Sequence, residues 1–168
     1  MELSPHGRVT VTGSASLDVI RFYDAFLDAA RRLAADHEAG PPEYAAAVVV
    51  AATACEVAAE RAVSALLEAR HPADMVKIIK GYQRRYTFVQ DERLQRLWTS
   101  LSGDQIQKAS FWERYTKHVK RRNDAVHQGM HRDAPVTLAA ANQSITVAGE
   151  FIAHLRNVLS TNGLASYT

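Results

Sequence analysis

Arg122 and His127 are the residues whose types and spacing could do chemistry together in this chain, within the run Arg122-Asn-Asp-Ala-Val-His-Gln-Gly129. An imidazole with an ordinary pKa of about 6.5 can accept or donate a proton near neutral pH. A guanidinium can fork onto two oxygens of an anion and meet charge as it develops there. Other pairings are poorer. His127 and His131 stand at i, i+4, but Gly129 lies between them and no cysteine or acid follows at zinc spacing, so no metal is expected. Glu150 and His154 miss the Glu-x-x-His spacing of carboxylate-bridged bundles. Cys55 is the single cysteine, set among alanine and valine, and reads as a buried inert thiol. Ser64 and Ser110 have no base nearby in sequence, and no glycine-rich phosphate loop is present, so no cofactor is expected.

These residues must be positioned by the stretch from Phe111 to Gly129, which the 3.6-residue period predicts as one long helix running into a glycine stop. Phe111, Tyr115, Val119 and Val126 form its apolar stripe, with His118 at the edge. Arg122 falls inside that stripe, whereas Arg114, Lys117, Lys120 and Arg121 are expected to point elsewhere. A surface helix keeps arginine off its apolar face, so Arg122 is expected at a buried seam.

Around that helix the pattern predicts an all-α chain, a four- to five-helix up-and-down bundle with short extra helices. Residues 1–13 read as an extended arm, alternating over Arg8-Val-Thr-Val-Thr12. A first helix starts near Ser14 or Ser16, with Leu17, Ile20, Tyr23, Phe26 or Leu27, Ala30 and Leu33 inward, and stops before Gly40-Pro41-Pro42. The second, from about Pro42 to Arg70, is almost continuously Ala/Val/Leu and should be central. Thr53, Glu56 and Glu60 are its polar exceptions: either an exposed strip, or carboxylates reaching a partner arginine. Short helices follow at about 73–82 and 91–101, the latter with Leu94, Leu97, Trp98 and Leu101 inward and broken by Ser102-Gly103. Thr137 caps a last helix to about Ser160, with Leu138, Ala141, Ile145, Ala148, Phe151 or Ile152, Leu155 and Leu159 inward and Asn162-Gly163 as its stop.

A length of 168 residues suits one domain with a real core. The first residues have neither a basic start nor an apolar core, so no signal peptide is expected. The most apolar run, Tyr44 to Cys55, is too short for a membrane span, and a cytoplasmic protein is expected. Net charge is +2 but unevenly spread: residues 1–75 carry six Arg/Lys against eleven Asp/Glu, and residues 76–132 carry thirteen against five. The basic middle also holds Tyr82, Tyr86, Trp98, Trp112 and Tyr115, a mix that suits a polyanion. Arg84, Arg85, Lys117, Lys120 and Arg121 are the cations expected to meet one. The plainer alternative is solvated helix faces around core aromatics.

The combination of a striped arginine, a following asparagine and a histidine at the end of a long helix, with an amphipathic helix after it, resembles the HEPN family. These are small helical bundles whose ribonuclease members carry Arg-x(4–6)-His. The resemblance covers most of the chain in helix order, but only the motif matches residue by residue: Arg122, Asn123 and His127. It implies a metal-independent endoribonuclease acting as a homodimer, with two motif helices meeting across the interface to form one cleft. It casts His127 as the acid–base group and Arg122 as the clamp on a phosphorane-like transition state, with Asn123 orienting the phosphate or the imidazole. Glu56 resembles the acidic residue that some members place on the second helix, and Glu56 and Asp124 are the expected supporting carboxylates. RNA is the implied substrate, and a protein antitoxin or regulator a further partner. Gly129 stands where members paired with a nucleotidyltransferase antitoxin carry a modified tyrosine, so regulation by that route is not expected. The alternative within the same fold is a catalytically silent module that binds nucleic acid, a nucleotide or a protein, or only dimerises.

Overall fold

The computed structural model describes residues 22–36, 38–74, 76, 77, 91–127 and 135–165, His127 by its backbone. Five helices of more than ten residues carry these segments: α1 (Phe22–Ala35), α2 (Pro41–Arg70), α3 (Glu92–Ser102), α4 (Trp112–His127) and α5 (Leu138–Thr161). No strand occurs among the described residues. The all-α bundle expected from the periodicity is the observed architecture. The extended arm at 1–13, the caps Ser14 and Ser16, and most of the short helix at 73–82 lie outside the described residues.

Local chemistry sets the helix ends. Gly40 donates its N–H to the Glu43 carboxylate at 2.8 Å, and Pro41 and Pro42 follow at the first turn, where a missing N–H costs nothing. Asp91 caps α3 by accepting from the Arg93 N–H at 2.8 Å. Thr137 caps α5 by accepting from the Ala140 N–H. Gly103 closes α3 with φ at 75°. Gly163, at φ 76°, closes α5 in a Schellman motif: its N–H bonds Ser160 O, and the Leu164 N–H bonds Leu159 O.

Helix α2 is the spine. It packs on α1, α3, α4 and α5, and its alanines let those neighbours approach closely: Ala47, Ala51 and Ala54 are wholly buried. Helix α1 packs along α2. Asp24 pairs with Arg156, and Leu27 lies against Gly149, so α1 runs antiparallel to α5. Arg114 pairs with Glu150, and Arg121 bonds Ser144, so α4 is antiparallel to α5 as well. The four long helices thus alternate up and down, with α3 an extra piece against α2.

Aromatic rings fill the α4–α5 layer. Tyr115 stacks on Phe151 with ring centres 4.2 Å apart, and Phe111 meets Phe151 edge-on at 6.1 Å. At the far end of the bundle, Asn162 ties three helix ends together. It accepts from Arg70 at the close of α2, donates to Ser102 O at the close of α3, and donates to Val158 O in its own helix.

Three residues differ from their expected places. His118 is fully buried in the core rather than at the stripe's edge. Val126 is 47% exposed and Leu138 is 43% exposed, because each sits at the extremity of its helix, where the neighbouring helices no longer cover it.

Candidate functional site

Arg122 lies one turn before the end of α4, and its side chain is 28% exposed. Its Nη2 faces Glu56 Oε1 of α2 at 3.3 Å, and its Nη1 donates to Asn123 Oδ1 at 3.1 Å. This is the misplaced cation of the apolar stripe, and its reason is now physical. The guanidinium enters the α2–α4 seam where a carboxylate receives it, and the Glu56 side chain stays 41% exposed, so the pair remains wet on one side. Of the two readings of the α2 acids, Glu56 follows the one in which a carboxylate reaches an arginine. Asn123 and Asp124 are half-buried beside it. His127 ends the helix five residues after Arg122. Its imidazole, with Arg84, Arg85, His131 and the loop at Gly129, lies outside the described residues.

The expected cations divide. Lys120 is exposed, and Lys117 is exposed while paired with Glu113 one turn earlier at 2.7 Å. Arg121 lies on a different flank of α4 from Arg122. It turns toward α5, where its Nη1 donates to Ser144 Oγ at 2.6 Å and to Ala140 O at 3.1 Å. Burial holds its pKa below the usual arginine value. Successive residues on a helix are about 100° apart, so Arg121 and Arg122 serve different neighbours.

Beneath both arginines lies His118, which the sequence did not single out for chemistry. It is wholly buried, and among the described residues neither ring nitrogen has a hydrogen-bond partner. Burial, with the positive charges of Arg121 and Arg122 added, pulls its pKa down from 6.5 to about 4. The ring is therefore neutral at physiological pH, and its place in the core keeps it from serving as a proton donor to a surface substrate. Cys55 is buried and free, its thiol pushed up by burial and by Glu56, which fits an inert packing group.

Away from the motif, Trp98 Nε1 donates to Asp104 Oδ2 at 2.8 Å, and the His154 ring nitrogen Nε2 meets the same oxygen at 2.9 Å. Phe111 lies edge-on to His154 at 5.3 Å. This cluster locks the α3–α4 connection onto α5. Among the described residues, no group of three His, Cys, Asp or Glu side chains comes together as metal ligands would, and no helix is long and apolar enough to cross a membrane.

No protein-family model, curated protein or solved structure matches the chain.

Proposed function

We propose that the chain is a metal-independent endoribonuclease of the HEPN type, acting in the cytoplasm as a homodimer with one composite site. Arg122, Asn123 and His127 of each copy supply it, and the biological setting is that of a toxin or defence effector held in check by a partner protein. One observation carries the reading. A half-buried guanidinium, gripped by Glu56 and Asn123, stands five residues before a histidine at the end of a cationic helix.

The chemistry follows from these groups. One His127 takes the proton of a ribose 2′-hydroxyl as its oxygen attacks phosphorus. The P–O5′ bond breaks, and the second copy's His127 returns a proton to the leaving oxygen. The products are a 2′,3′-cyclic phosphate and a 5′-hydroxyl. Arg122 meets the added negative charge on the phosphorane oxygens, and Glu56 keeps its fork aimed. A two-fold axis along α4 would bring both pairs together and cover the exposed Val126.

The test is cleavage of single-stranded RNA by Arg122→Ala and His127→Ala proteins. Each should lose roughly 100-fold or more in rate with little change in melting temperature. Equal degradation by wild type and both variants sinks the proposal.

A second reading, a catalytically silent binding module, is favoured by a cationic groove between α4 and α5. It expects salt-sensitive RNA binding with no cyclic-phosphate product. A bundle that only dimerises expects neither.

A further inference from the structure

The groove lies on the opposite flank of α4 from Glu56. Arg114, Lys117 and Arg121, spaced i, i+3, i+7, form its basic wall. Asn142, Gln143 and Thr146 of α5 form the facing wall, and the cavity between them is about 420 Å³. That is the scale of a small-molecule pocket, enough for one nucleotide.

The two walls are chemically distinct. Among the described residues no carboxylate lines the cavity; Glu150 and Glu113 reach Arg114 and Lys117 from outside it. The Lys117–Glu113 pair is exposed on both sides, and such pairs contribute little, so the ammonium is free to turn to a better anion. Arg121 is different. Both its bonds run from Nη1, which leaves Nη2 and Nε without a partner among the described residues. It is a half-buried, pre-aimed guanidinium with no counter-ion among the described residues. On the other wall, Asn142 and Gln143 are exposed, and a carboxamide offers a donor and an acceptor side by side. That pairing matches the edge of a nucleobase. An acidic peptide would use the basic wall and leave the amides idle.

We propose that this groove is an RNA exosite: it holds one nucleotide of a single strand, phosphodiester on Lys117 and Arg121, base edge on Asn142 and Gln143. The choice of RNA as ligand rests on the nuclease reading. The exosite lies apart from Arg122 and His127, so it governs where a strand is held rather than how a bond is broken.

Binding is tested with a fluorescent single-stranded 2′-O-methyl oligoribonucleotide, which cannot be cleaved through its 2′-oxygens, against the full chain. Gln143→Glu and Thr146→Glu place a negative charge in the groove at exposed positions, where folding is not at stake. Each should weaken binding by about tenfold and flatten its dependence on salt. Asn157→Glu, an equal charge farther along α5, should change it less than about twofold, as expected for a site screened by salt. Arg121→Gln should weaken binding similarly, and Arg121→Lys should restore part of it. Equal losses for Asn157→Glu and Gln143→Glu overturn the exosite. So does a free nucleoside monophosphate that competes as strongly as the oligomer, or a poly-glutamate peptide that does so. A groove that binds RNA in a chain that cleaves none leaves the exosite standing and removes the nuclease. Cleavage unaffected by groove charges, with binding unchanged, does the reverse.

Discussion

Arg122 and Glu56 face each other at 3.3 Å across the seam between α4 and α2, the arginine more enclosed than its partner. An exposed pair of this kind contributes little to stability, about 0–1 kcal/mol. Its value to the molecule is aim. Glu56→Gln should therefore leave the thermal midpoint within a few degrees while lowering RNA cleavage by roughly tenfold, the scale of a lost orienting contact. A large drop in midpoint with unchanged cleavage would make Glu56 a structural residue instead.

His118 predicts a pH dependence whose sign follows from its burial. In the unfolded chain the imidazole titrates near 6.5; in the fold it does so at about 4. Between those values the unfolded state holds the extra proton. Stability is thus full above about pH 6.5, declines as pH falls toward 4, and levels off below it, a loss on the order of 3 kcal/mol. His118→Leu should flatten that part of the profile. It should also raise stability at pH 7 by roughly 1–3 kcal/mol, because it removes two unpartnered nitrogens from the core. Urea unfolding at a series of pH values measures both, and a profile unchanged by the substitution refutes the assignment.

Asp104 holds two partners on one oxygen, the buried Trp98 indole and His154. Asp104→Ala strands the indole N–H and should cost about 1–3 kcal/mol. Thermal unfolding followed by far-UV circular dichroism reads the loss directly. No shift in the midpoint would mean that water replaces the carboxylate without penalty.

Ala51, wholly buried on α2, predicts the opposite error of packing. Leucine there adds three carbons where neighbouring helices already touch, and Ala51→Leu should destabilise by about 1–3 kcal/mol. A stabilised variant would reveal a void at that level of the spine.

Much of this architecture is readable in the sequence because it rests on local rules. Asp91 and Thr137 are caps by residue type, Gly103 and Gly163 are stops, and an alanine-rich helix free of charge over two turns must be central. Arg122 announces itself by lying on an apolar stripe. What periodicity cannot supply is the identity of the neighbour. Arg121 and Arg122 differ by one position, and only the packing of α4 against α2 on one flank and α5 on the other tells which meets a carboxylate and which a hydroxyl. His118 looked marginal because a histidine's helical angle does not say how deep its helix sits. The groove exists only where faces of two separate helices come side by side, so no single stretch encodes it.

The clasp at Asn162 has an electrostatic consequence. Three helix C-termini gather there, each bearing a partial negative charge, and Arg70 offsets them in part. The N-termini of α2 and α5 lie toward the opposite pole, where Arg121 and Arg122 stand near the end of α4. The C-termini of α1 and α4 lie at that same pole, so the antiparallel helices offset one another's dipoles and the effect of the clasp stays confined to its own end. What the clasp sets is local: the carbonyl ends gathered at Asn162 favour a cation there, and Arg70 supplies it.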